Sequence, residues 1–249
     1  MKLIIEKDYE DMSKRAAEII AKELREKPNM VLGLATGSTP IGTYKELIRM
    51  HREDGLDFSE ASSFNLDEYY RIAPSNSQSY HYFMEENLFK NINLPKERIH
   101  IPDSMAEDIS AFCKEYDNEI MEYGGIDLQI LGIGENGHIA FNEPSDELFL
   151  GTHLTDLTSS TIQVNSRFFS SIEEVPTKAV TMGIGSIMKA KKILLLANGK
   201  KKSKIIKDML LNDTITTQIP ASMLLLHPNV TIILDSEAAH DFLEESETI

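Results

Sequence analysis

The stretch NMVLGLATGSTPIGTYKELIRMH, residues 29–51, decides the fold. Its apolar start is too short for a helix and breaks at Gly37; Ile41, Tyr44, Leu47 and Ile48 then recur at helical spacing. The reading is strand, tight turn, helix. Thr39 suits the N-cap and Pro40 the first helical position, where its missing N–H costs nothing. Gly37 and Ser38 then present backbone N–H groups at the positive end of the helix dipole, a ready site for phosphate. The alternative is a strand-to-helix turn that binds nothing. The loop is not a Walker A motif, because G-x-x-x-x-G-K-[ST] is absent.

The same alternation runs outward in both directions. A helix is expected within Asp8–Lys27, where Met12, Ala16, Ile19, Ile20 and Leu24 share a face and Pro28 follows. Further strands are expected at Ala61–Leu66, Ile126–Ile133, Lys178–Met182, Ile193–Ala197 and Val230–Leu234. Helices are expected around Ser77–Lys90, Asp108–Tyr123 and Lys201–Leu211. Strand-like runs alternating with helices imply an α/β fold: a mainly parallel open sheet, Rossmann-like but modified, with helices on both faces. Residues 145–175 lack periodicity and are rich in Ser and Thr; a segment of that length is read as a lid, against the alternative of an ordinary surface excursion.

Composition bounds the function. With 249 residues and 41% hydrophobic content, the chain suits one domain over its whole length, 1–249. Forty acidic against 25 basic residues give a net charge of −15, which argues against nucleic acid as partner. Any anionic ligand must therefore meet a local cationic pocket. Cys113 is the one cysteine, so neither an internal disulfide nor a cysteine zinc site is available. No signal-like or membrane-spanning run is read, and a cytoplasmic protein is expected.

LGIGENGHIAFNEP, residues 131–144, contains G-x-G-x-x-G. A dinucleotide site needs a long helix after the glycines, yet Pro144 stops any helix within two turns. The other reading is a sharp turn at the carboxyl end of a strand that delivers His138 into the crevice. Glu143, five residues on, is then placed to orient the imidazole and raise its basicity. FNLDEYY, residues 64–70, puts Asp67 and Glu68 at the end of another strand, at the same crevice or as a plain solvated cap.

LGLATGSTP, SSFNLDEYY, SYHYFMEENLF, LGIGENGHIAFNEP and NSRFF, in this order over essentially the whole chain, resemble the glucosamine-6-phosphate deaminases. The related 6-phosphogluconolactonases share the fold and a GH turn but match poorly after His138, and stand as the runner-up. The resemblance implies conversion of glucosamine 6-phosphate to fructose 6-phosphate and ammonia, with no organic cofactor. It implies ring opening by His138 with Glu143, and proton transfer between C2 and C1 by Asp67. Asn136 stands where some members have Asp, so it implies a supporting role in ring opening and a tolerated Asn136→Asp change. Phosphate binding is implied for Thr36, Gly37, Ser38, Thr39, Arg167 and Lys202.

No cluster with clear metal-ligand spacing is read, so no metal is expected. His51, His81, His100, His227 and His240 are read as structural or surface residues. Members activated by N-acetylglucosamine 6-phosphate carry basic residues after FNEP, whereas no Lys or Arg lies between Pro144 and Arg167 here. No such activation is expected; a sigmoidal rate curve made hyperbolic by that sugar would refute this. Homo-oligomerisation stays open. A non-catalytic sugar-phosphate sensor is the alternative of another class, but no DNA-binding module is read.

Overall fold

The computed structural model describes residues 1–166, 169 and 171–246. The chain runs β1 (Lys2–Glu6), α1 (Tyr9–Glu26), β2 (Val31–Leu34), α2 (Ile41–Glu53), β3 (Ser62–Asn65), β4 (Asp67–Tyr69) and α3 (Tyr80–Asn87). Then come β5 (Ile99–His100), α4 (Ile109–Glu122), β6 (Leu128–Leu131), β7 (His153–Asp156) and α5 (Ser159–Asn165). The last third holds β8 (Lys178–Thr181), α6 (Ile184–Met188), β9 (Lys192–Ala197), α7 (Ser203–Leu211), β10 (Val230–Asp235) and α8 (Ser236–Ser246).

Among the described residues seven strands form one sheet in the order β1-β10-β9-β6-β2-β3-β5, every pair parallel. Successive residues of β2, β3 and β6 are all buried although they point to opposite faces, so helices cover both faces. The fold is the expected single α/β domain.

Helix α1 shows how local signals and burial agree. Asp8 caps it by accepting from the Asp11 N–H at 3.0 Å, and Met12, Ala16, Ile20 and Leu24 face the core. Each of the larger three contributes roughly 1.5–3 kcal/mol by leaving water. Pro28 lies just beyond the C-cap Lys27.

Three expectations need correction. Lys178–Thr181 is not in the main sheet: β8 pairs antiparallel with β4 and β7 in a three-stranded sheet. Asp67 and Glu68 therefore belong to a strand of their own rather than to a cap. Thr39 does not cap α2; Pro40 occupies the cap position, and the Thr39 hydroxyl donates instead to Asn198 Oδ1 at 2.9 Å.

From β2 the chain proceeds to β3 on one side, whereas β6 pairs with β2 on the other and leads to β9 and β10. The strand order reverses between β2 and β6. Open α/β sheets bind ligands outside the carboxyl ends of the strands at such a point.

Candidate active site

The two loops that leave β2 and β6 wall a cavity of about 280 Å³ at this reversal. Thr36, Gly37, Ser38 and Thr39 line it from the β2 side, and Asn136 and His138 from the β6 side. Asp67 and Lys202 complete the convergence. Two residues stand apart from that list. Glu143 sits behind the imidazole rather than on the cavity wall, and Arg167 lies outside the described residues.

The β2 loop is held by two tyrosines. Tyr44 Oη donates to the Ala35 carbonyl at 2.5 Å, and Tyr9 Oη accepts from the Gly42 N–H at 2.8 Å. Gly37 turns the chain at φ +91°, where a side chain would be strained although space is open. Among the described residues, the N–H groups of Gly37, Ser38 and Thr39 make no hydrogen bond. They remain available to an anion at the start of α2.

The β6 loop is a glycine turn built around one imidazole. Gly134 N–H donates to the His138 carbonyl at 2.9 Å, and Gly137 adopts φ +87°. A Cβ on Gly134 would fall 2.3 Å from His138 Nδ1, so the ring lies directly on the Gly134 backbone. Beyond the turn, Asn142 Nδ2 donates to the Met182 carbonyl at 2.8 Å, anchoring FNEP next to β8.

Three groups hold the Glu143 carboxylate. Asn136 Nδ2 donates to Oε2 at 2.7 Å, the Thr161 hydroxyl donates to Oε1, and His138 Nδ1 lies 3.3 Å from Oε2. The imidazole contact is close enough for a charge pair, although His138 Nδ1 makes no hydrogen bond there. Burial pushes the Glu143 carboxyl up; contact with His138, then Thr161 and Asn136, outweighs it and holds the group at about 2. Glu143 is thus anionic across the working pH range. Asn136 also accepts from the His138 N–H at 3.2 Å through Oδ1, so it ties turn to carboxylate.

Asp67 meets the opposite condition. It is buried, and desolvation, with the neighbouring Glu68 charge second, raises its carboxyl to about 8. A carboxyl in that range takes and returns a proton near neutral pH. Tyr80, which sequence reasoning did not assign, lines the cavity too; burial, then the proximity of Tyr69 and Asp67, raises its phenol, which stays a neutral donor. Thr161 and Glu135 were also missed, because single Thr and Glu residues in polar loops carry no sequence signal of their own. On α8, exposed His240 and Glu244 and half-buried Asp241 come together, but none lines the cavity.

The sequence profile described as glucosamine-6-phosphate isomerases/6-phosphogluconolactonase matches residues 6–233. The chain is 58% identical over 239 residues to a glucosamine-6-phosphate deaminase of Thermoanaerobacter pseudethanolicus, covering 96% of this chain and 94% of the relative. A solved monomeric glucosamine-6-phosphate deaminase superimposes with a TM-score of 0.94 at 44% identity, covering 97% of this chain and all of the other. A 6-phosphogluconolactonase from Thermotoga maritima, at 24% identity and a TM-score of 0.73 over 94% of this chain and 98% of its own, shares the fold. A match along nearly the whole length places this chain in the glucosamine-6-phosphate isomerase/6-phosphogluconolactonase family.

Proposed function

We propose that this protein is a glucosamine-6-phosphate deaminase, turning D-glucosamine 6-phosphate and water into D-fructose 6-phosphate and ammonia. The observation that carries the reading is the meeting of three groups in one cavity: a buried carboxyl near neutral pKa, a histidine backed by an ionised glutamate, and an anion-binding loop. Relatives of that activity at 58% identity support it.

The phosphate sits against the N–H groups of residues 37–39 with Lys202. His138 moves the proton between ring oxygen and anomeric hydroxyl, with Glu143 stabilising the imidazolium. Asp67 takes the C2 proton of the open-chain amino aldehyde and returns one at C1 through a cis-enol. Water then adds to the fructosimine and ammonia leaves. Arg167 is assigned to the phosphate by resemblance.

The test is ammonia release from glucosamine 6-phosphate by the purified protein, with fructose 6-phosphate followed in parallel. Equal amounts of both products are expected. No ammonia from folded protein would sink the reading and move the assay to 6-phosphogluconolactone.

Asn136 gives a sharper prediction than its sequence did. Asn136→Ala is expected to lower kcat by about tenfold, since it frees both the turn and Glu143. Asn136→Asp, expected to be tolerated from resemblance, now faces a carboxylate at the 2.7 Å contact. Like charges at that distance raise one carboxyl. A rate that falls as pH rises, relative to the parent protein, is the expected signature, and an unchanged profile would count against this geometry.

Within the segment 145–175 read as the lid, the described Thr161 lines the cavity and bonds Glu143, while β7 pairs with β8. The substrate's charge keeps it from crossing a bilayer unaided, which fits a cytoplasmic setting. Among the described residues no helix is long and apolar enough to span a membrane.

A further inference from the structure

Glu68 follows Asp67 on β4, and strand alternation turns its side chain to the opposite face. It is fully buried. Its Oε1 accepts from the N–H groups of Tyr69 and Tyr80, both at 2.9 Å. Its Oε2 accepts from the His81 N–H at 3.0 Å and lies 2.9 Å from His81 Nδ1. One carboxylate thus joins the strand that bears Asp67 to the first turn of α3, whose first residue, Tyr80, lines the cavity.

A joint between a strand and a helix needs acceptors but no net charge, and a buried carboxylate is costly unless every lone pair is used. Here the charge stands one residue from the group proposed to move the substrate proton. His81, its partner, is only partly buried and so reachable by solvent protons.

We propose that Glu68, paired with His81, is a positioning residue for the deaminase reaction: it fixes Asp67 and Tyr80 as one wall and sets its buried carboxylate one residue from the group that moves the substrate proton. The proposal rests on the deaminase reading for the role of Asp67. The raised Asp67 carboxyl is consistent with it, burial being the larger cause and Glu68 the second. The other ionisable groups facing Asp67 are Tyr44 on α2, Tyr80 on α3 and Tyr116 on α4, all phenols raised first by burial and therefore neutral. His138 and Lys202 line the same cavity. Tyr69 and Tyr80 adjoin Glu68 itself, and His81 is the group that pairs with it.

Two variants reach the same charge by different atoms. Glu68→Gln removes it and keeps the side chain's length; His81→Lys leaves Glu68 in place and sets a permanent cation against it. The Asp67 carboxyl is titrated by 13C NMR in the free protein, with Asp67→Asn to assign the resonance, and kcat/KM for ammonia release is followed against pH. Removing or cancelling a nearby anion lowers a carboxyl pKa. Both variants are expected to move the Asp67 midpoint, and the rising limb of kcat/KM, to lower pH by about one unit.

A purely mechanical joint would weaken folding or kcat and leave both midpoints in place, and that result overturns the proposal. Should Glu68→Gln not fold, the His81→Lys titration alone decides. The NMR midpoint does not depend on turnover. A moved midpoint in a protein that releases no ammonia would sink the deaminase reading while leaving the electrostatic link standing.

Discussion

Asp67→Asn is expected to lower kcat for ammonia release by roughly 10³-fold while leaving the fold intact, because the side chain keeps its shape and loses its basicity. The pH dependence follows from the same burial. With the carboxyl raised to about 8, the basic form grows as pH rises through that value, so kcat/KM of the parent protein is expected to climb between about pH 7 and 9. The variant's residual rate should show no such limb.

The same substitution should stabilise the protein. An acid whose folded pKa lies above its unfolded value, here about 8 against 3.8, costs stability that accumulates as pH rises from the unfolded pKa to the folded one. Below pH 4 there is no cost. At pH 8 the variant should therefore melt higher than the parent, by an amount on the order of a few kcal/mol, and the gap should close toward pH 4. A variant inactive and also destabilised at pH 8 would mean that Asp67 is a structural ion rather than a base.

The second large effect comes from a glycine that never touches substrate in this reading. Gly134→Ala places a methyl group 2.3 Å from His138 Nδ1, a distance no real contact tolerates, so the imidazole must leave its present position. A displacement of about 1 Å at a catalytic group costs on the order of 10² in rate, and a loss of that size in kcat is expected. A double-mutant cycle isolates the cause. Adding Gly134→Ala to His138→Ala should cost little more, since no ring remains to be displaced. Additive losses would place the role of Gly134 in the turn itself.

The main sheet was legible because buried parallel strands write themselves as short apolar runs, and five of its seven strands, β2, β3, β6, β9 and β10, were expected from those runs alone. What escaped was polar or half-exposed. β1 sits at the edge with alternating partial burial, and α8 buries only Ala238 and Ala239 among its strongly apolar contacts. β7, with sequence HLTD, and β4, with DEY, pair through backbone and carry little strand propensity. Of the small antiparallel sheet only its central strand, β8, was legible for that reason.

The site divides in the same way. Gly37, Gly134 and Gly137 with His138 could be picked out in the chain because a turn that sharp demands residues without side chains. Asp67 was visible as an acid at the end of an apolar run. Its proton affinity was not, because that depends on which groups exclude water from it and on Glu68 one residue away. Spacing put Glu143 at the imidazole, but it did not tell that Asn136 and Thr161, the latter 18 residues on, hold the carboxylate there.

The sequence by itself determined the alternating α/β chain, the two glycine turns and the residue types that do acid, base and anion-binding chemistry, since local periodicity and backbone sterics act over a few residues. Only the tertiary structure decided which of those groups share a cavity, which strand Asp67 belongs to and how its charge is opposed. Those properties arise from burial and from contacts between segments distant in the chain, and electrostatics inside a protein is set by what surrounds a group rather than by what precedes it.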